Sequence, residues 1–439
     1  MISLLKSFAP LALYVMTLIV LFLSLAGNVR WGLLFLVPLL PLQNVIEKLY
    51  ALPLGKDLND ILLVGMLVGW FIAKAAKGEP VLARSSYNVI LFLYFFYTYF
   101  TLWKGSFYLG EPAPINPLDP RLQNWKNYMV LPLLFFLTAN NLRNKSDFKK
   151  MLILMCSSVL VMNVYNIRQI SWMTSWVSRS KIPGTFVWLG ANEVAAFYAT
   201  YTFVLIGIFF LIKRRLIKIF LGCLILSNFY IVLFMFSRGA YIAVLMGLLM
   251  LSIVRVRKLI IPILLMLMFW QAVLPQRVIE RIKFSEQEGA LDDSAQTRLI
   301  LWQQSMIYFQ ENPLFGVGYD VFSKIGMKRD THNVFLRTLA EQGLIGLGFL
   351  LTILVLALKR GWRLYRRADD PLFKGLGLGF FTCVIAVMAG NFFGDRWTPL
   401  PLAAYFWVFL GMVERGNVMA DEILREQSPG RRKQRAGIS

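Results

Sequence analysis

The sequence predicts an all-α polytopic membrane protein of about 12 transmembrane helices, within roughly 11 to 13. Three observations predict it. Of 439 residues, 57 % are hydrophobic and only 16 % charged, where a soluble chain carries about 25 % charged residues. Mean hydropathy is +0.60. The apolar residues gather into runs of roughly 20, enough to cross a bilayer core as a helix. A transmembrane barrel would instead show short segments of alternating polarity.

The net charge of +22 does not point to nucleic acid. The basic residues sit in short clusters between apolar runs: Lys74, Lys77 and Arg84; Arg143, Lys145, Lys149 and Lys150; Lys213, Arg214, Arg215 and Lys218; Arg255, Arg257 and Lys258; Lys359, Arg360, Arg363, Arg366 and Arg367. Clusters of this kind mark cytoplasmic loops and fix the direction of each span. The three cysteines, Cys156, Cys223 and Cys383, lie in separate apolar runs, so neither a disulfide framework nor a metal cluster is expected.

Taken in order, runs at 10–26, 31–46 and 58–73 open the chain. The first lacks a small-residue cleavage site and reads as a span, not a signal peptide. The second is interrupted by Pro38 and Pro41 and is either one span or a broken element. The run 87–103 leads out to a proline-rich loop, 104–123, and 125–138 returns, with Trp103 and Trp125 as interfacial anchors. Then 151–167 exits, 168–190 is external and aromatic, and 192–212 re-enters. The runs 219–236 and 240–254 form a hairpin whose outer turn is Ser237-Arg238-Gly239, and 259–274 exits again. A long external segment follows, then an inward span at 334–358. A closing hairpin, 376–393 and 400–413, turns at Gly394-Asp395-Arg396-Trp397. Four regions result: a first bundle over 1–274, an external loop over 275–333, closing spans over 334–415, and a basic cytoplasmic tail over 416–439.

The external loop holds the candidate chemistry. Ser294 is a plausible N-cap, preceded by Asp292 and Asp293, and begins a helix. Leu299, Trp302, Met306 and Phe309 recur at helical spacing and make an amphipathic face. Arg298 lies one turn before Trp302, on the same face. Asn312-Pro313 ends the helix. His332, the only histidine, sits where the loop meets the next span, wet enough to titrate and to act as a base. Arg238 is a cation on the outer side, against the positive-inside trend. Together Arg238, Arg298 and His332 can place two guanidiniums and one imidazole on one outer face, a combination that fits a lipid-linked pyrophosphate. Lys181, Asn192 and Glu193 are weaker candidates on that face; Asn192 and Glu193 also suit the cap of the span that follows. No His-Glu-x-x-His and no Walker lysine motif occurs, so neither a zinc protease of that type nor ATP is implied. Charges are few in the span centres, which argues against ion-coupled transport. A transporter or flippase for an anionic lipid or small anion remains the reading from another class.

The run Asn312-Pro313-Leu314-Phe315-Gly316-Val317-Gly318, then His332-Asn333-Val334-Phe335-Leu336, then Glu341-Gln342-Gly343-Leu344-Ile345-Gly346 resembles the bacterial O-antigen ligase and O-antigen polymerase superfamily. Ser237-Arg238-Gly239-Ala240, and Gly184-Thr185-Phe186 followed by Ala191-Asn192-Glu193, are similar to that family too. So is the layout, with a long loop late in the chain before a few closing helices. The resemblance implies a GT-C-like membrane glycosyltransferase at the periplasmic face of the bacterial inner membrane, with a cytoplasmic C-terminus. It implies a glycan donor on undecaprenyl diphosphate, no cofactor and no metal. The acceptor is a sugar hydroxyl, on lipid A–core for a ligase or on a lipid-linked glycan for a polymerase, and the motifs do not separate the two. By the same resemblance Arg238 and Arg298 hold the diphosphate, His332 activates or orients the acceptor hydroxyl, and Asn333 positions His332.

Overall fold

The computed structural model describes residues 2–173, 184–283, 286–287, 290–291, 293–326 and 329–436. Within them the chain is almost wholly helical, as its apolar runs require: a backbone in hydrocarbon must satisfy its own polar groups. The helices are α1 (Ile2–Leu25), α2 (Val29–Leu39), α3 (Gln43–Ile46), α4 (Leu58–Ala75), α5 (Tyr87–Tyr108), α6 (Pro120–Asn141), α7 (Lys145–Ser171), α8 (Ala191–Leu211), α9 (Arg215–Phe234), α10 (Arg238–Val254), α11 (Ile260–Met268), α12 (Trp270–Val273), α13 (Gln276–Lys283), α14 (Asp293–Glu311), α15 (Val334–Arg367), α16 (Pro371–Asn391) and α17 (Leu400–Ala436). Two-residue strands, Glu286–Gln287 and Ala290–Leu291, pair antiparallel before α14.

Seven of these helices are each long and apolar enough to cross a membrane, and eight spans result if α2 and the segment Gln43–Ala51, bent by 107°, form one broken span. The expected number is about 12. The difference lies in identifiable elements. α5 is built largely of Tyr, Phe and Trp, which pack well but score low as hydropathy. α6 carries Arg121 and Lys126 near its start. α10 has 17 residues, α11 and α12 divide the run 259–274, and α17 turns polar beyond Val413.

α8 and α16 form the centre. α8 buries nearly its whole circumference, and the pair approaches closely at Gly207, Gly375 and Gly379. A Cβ on Gly207 would lie 2.3 Å from the Gly379 nitrogen and 2.4 Å from the Gly375 oxygen, so only glycine permits this contact. Trp407, Tyr405, Phe406 and Phe409 of α17 fill the adjoining core. At the periphery, α1 and α4 pack parallel: Gly65 faces Leu21, Gly69 faces Ser24 and Gly27 faces Ala73.

The bundle has two chemically distinct ends. At one, Arg363 pairs with Asp421 at 2.6 Å, Arg360 with Glu414 at 3.2 Å, and Lys145 with Asp370. The turns at 76–86, 142–144, 212–214 and 368–370 gather there. The other end collects the starts of α8, α10, α15 and α17, the end of α16, and the helix α14 packed on α15.

Candidate functional site

α15 is not one helix. At Gly343 the backbone turns to φ +65° and ψ −164°, so 334–342 and 344–367 are separate helical segments. The stretch after α14 repairs the break. Val317 and Gly318 donate their N–H groups to the carbonyls of Ala340 and Glu341 at 2.9 and 2.8 Å, while Leu344 and Ile345 donate to Pro313 and Leu314 at 2.9 and 3.3 Å. Unwound backbone is thus satisfied inside protein. The approach is close: a Cβ on Gly316 would lie 2.3 Å from the Glu341 carbonyl carbon. The Asn312–Gly318 and Glu341–Gly346 motifs are therefore two halves of one backbone joint.

This joint carries the start of α15 and the loop before it. Asn333 caps the helix: its side-chain oxygen accepts from the N–H groups of Phe335 and Leu336 at 3.0 and 3.1 Å. Its amide oxygen is thus engaged in the cap and not directed at His332. Thr331 locks the turn, its hydroxyl donating to the Asn333 carbonyl at 2.8 Å and accepting from the Asn333 N–H at 3.1 Å. Trp302 of α14 donates its indole N–H to the Thr331 carbonyl at 3.1 Å. His332, between them, takes the left-handed conformation at φ +52°. Its N–H donates to the Asp330 carboxylate at 3.2 Å, and its Nδ1 lies 3.8 Å from the same oxygen.

Four charges act on the imidazole. Burial is the largest influence and pulls its pKa below the usual histidine range; Asp330 and Glu193 push it up, and Arg298 and Arg396 push it down. Arg298 thus lies near enough to His332 for its charge to act on the imidazole. Arg238 opens α10 at the same end; the neighbouring Gly239 lies against Phe393, a Cβ there falling 2.7 Å from the Phe393 Cβ. Asn192 is half-buried in the first turn of α8. Beside it Glu193 accepts from the Gly190 N–H at 3.0 Å, the expected capping, and also pairs with Arg396. Lys181 lies outside the described residues.

The helix carrying Arg298 begins at Asp293 and ends at Glu311. Leu301 and Ser305 face inward, with Tyr308 packed against Phe322, while Leu299 and Met306 are exposed alongside Ile300 and Ile307. Two apolar faces compete on this helix, and the one meeting α15 wins the protein contact. The other is left for the surroundings.

Sequence reasoning missed the group that binds this end together. Arg337, 17 % exposed, reaches Asp395 at 2.7 Å, Glu341 at 3.2 Å, Asp320 at 3.8 Å and Asp330 at 4.0 Å. Each carboxylate is further engaged. Asp320 accepts from Asn124 at 3.1 Å, Glu341 from the Phe322 N–H at 3.0 Å, and Asp395 from the N–H groups of Trp397 and Thr398 at 3.0 and 2.9 Å. Burial and the Asp395 charge push the Asp330 carboxyl above its ordinary range, while Arg337 and His332 pull it back. One signal was readable: Arg337 and Glu341 stand four residues apart on a helix. Asp320, Asp330 and Asp395 come from three separate segments, and spacing alone cannot join them.

A groove of about 710 Å³ opens on the flank between α4, α5 and α6. Leu63, Leu67, Trp70, Phe95, Met129 and Phe136 line it, and the Lys126–Asp60 pair stands at the end nearer Asn124.

Residues 221–351 match the family model described as O-Antigen ligase. Over that segment, about a third of its length, the chain is similar to the O-antigen ligase family. No curated protein matches it. Members of the O-antigen ligase family are glycosyltransferase-like membrane enzymes. The segment similar to O-antigen ligases contains Arg238, Arg298, His332, Asn333 and Arg337, and leaves Glu193, Asp395 and Arg396 to the flanking parts of the chain.

Proposed function

We propose that this protein is a glycosyltransferase at the periplasmic face of the bacterial inner membrane. It moves a glycan from undecaprenyl diphosphate to a sugar hydroxyl, as an O-antigen ligase acting on lipid A–core. The observation that carries this reading is the meeting of Arg298 and His332 at one end of the bundle, within the segment similar to O-antigen ligases. The basic clusters lie at the opposite end, which by the positive-inside rule is cytoplasmic. That supports a reading with His332 outside and the C-terminus inside.

The chemistry follows from the groups present. His332 takes the proton of the acceptor hydroxyl as its oxygen attacks the anomeric carbon. The bond from that carbon to the diphosphate oxygen breaks, and the lipid diphosphate leaves as an anion. Arg238 and Arg298 stabilise its developing charge, planar forks suited to phosphate oxygens. Asn192 and Asn333 support the site, with Lys181 nearby in sequence to the same rim. The apolar flank between α4, α5 and α6 suits the hydrocarbon part of a lipid substrate, its charged end turned to the rim.

The test is transfer from a defined lipid-linked donor by purified protein. His332→Ala and Arg238→Ala each lower the rate by about 10²-fold or more with the protein still folded in detergent. Full activity of both variants would sink the mechanism. Deletion in the host separates the acceptors: polymer accumulating on the carrier lipid marks a ligase, and single repeats on the final acceptor mark a polymerase.

A further inference from the structure

The only histidine of the chain has a carboxylate beside it that the transferase reading does not use. Asp330 lies two residues before His332, and the left-handed backbone at His332 folds the loop so that one Asp330 oxygen serves both the His332 N–H, at 3.2 Å, and approaches Nδ1, at 3.8 Å. The other oxygen faces Arg337 at 4.0 Å, and Arg337 is itself fixed by Asp395 and Glu341. A carboxylate placed so does for an imidazole what the third member of a catalytic triad does: it selects the tautomer and stabilises the imidazolium once the proton arrives. A gap of 3.8 Å in the substrate-free protein is short of a hydrogen bond, and such contacts tighten when the reacting complex forms.

We propose that Asp330 is the positioning residue of His332, holding Nδ1–H toward itself and leaving Nε2 to take the acceptor proton, with Arg337 as the clamp that keeps Asp330 in place. The inference rests on His332 acting as the base. Among the described residues, no group on the other elements facing His332 competes for this role. Arg298 of α14 and Arg396 of the 392–399 turn are cations, and Glu193 of α8 is held by Arg396.

A lone histidine makes the test direct. Full-length protein labelled with ¹⁵N only in histidine, purified without a histidine tag, gives one pair of imidazole nitrogen signals. In the wild type the neutral ring is expected as the Nδ1–H tautomer; an Nε2–H tautomer overturns the proposal with no variant needed. In Asp330→Asn, loss of the carboxylate lowers the imidazole midpoint by about one pH unit. With an undecaprenyl-diphosphate-linked glycan as donor, its kcat falls roughly 10- to 100-fold while donor KM stays within about twofold. Asp330→Glu recovers part of kcat, which a merely structural role does not require. An unchanged midpoint together with an unchanged kcat overturns the proposal. His332→Ala serves as the control. If it is inactive and Asp330→Asn is unaffected, the positioning role fails alone; if His332→Ala transfers glycan normally, the transferase reading fails first.

Discussion

A left-handed backbone at a non-glycine residue costs roughly 1 kcal/mol or more, and His332 holds it at φ +52°. Thr331, Asn333 and Trp302 supply the hydrogen bonds that offset this cost, and in return the ring sits among Asp330, Glu193, Arg298 and Arg396. Burial depresses its pKa, so the neutral, basic form persists into mild acid. The acid limb of kcat/KM is therefore expected with a midpoint below about 6.5, the ordinary histidine value; a midpoint above it would count against His332 as the base. The same sign governs stability. A histidine whose folded pKa is depressed contributes stability that is present above the unfolded value and lost as pH falls through the folded one. Acidification should thus silence the base and loosen its loop together. His332, Arg238 and Arg298 were legible as candidates because a lone histidine and arginines away from the basic clusters stand out in an apolar chain. Asp330 and Arg337 were not, because a salt-bridge hub is defined by which segments meet.

At the scale of elements, the motif glycines have a structural use. Gly343 breaks α15, and Gly316 lets the preceding strand-like stretch lie against the break. Gly343→Ala combines a positive φ with a Cβ 2.3 Å from the Leu314 oxygen. It is expected to cost about 1–3 kcal/mol, read as a lower melting temperature in detergent, with transfer lost as the 313–319 stretch lifts away. A wild-type melting temperature would show that the joint tolerates a regular helix. The sequence disclosed the helices and their breaks at Pro38, Pro41 and Asn312-Pro313, since these are local signals. It left α14 open, since the face of Leu299 and Met306 suits a membrane surface or the bundle, and Leu301 and Ser305 are the residues buried in the protein. Two apolar stripes on one helix leave the phase undecided until the partner, here Phe322 and Ala340, is known.

At the scale of the whole molecule, charge placement was the most legible feature, because basic turns and apolar spans alternate along the chain itself. The convergence of α8, α14, α15 and the 392–398 turn on one rim was not, since contacts between residues 193, 298, 332 and 396 leave no periodic trace. The break in α15 also governs how the rim sits in its solvent. An unbroken helix of 34 residues would measure about 51 Å, well beyond a hydrocarbon core of about 30 Å. Dividing it at Gly343 leaves 344–367, roughly 36 Å long, to match the bilayer. The segment 334–342 is moored to Gly318, Asp320 and Asp395, and not to lipid depth. The groups of the proposed site then ride on protein while the spans below tilt to suit the membrane. In vesicles of shorter or longer acyl chains, a mismatch of a few Å costs only fractions of a kcal/mol per Å. Transfer by the wild type should accordingly vary less than about twofold with bilayer thickness. A steep dependence would mean that 334–342 moves as one rod with the rest of its helix, and that the membrane, through it, sets the height of the histidine.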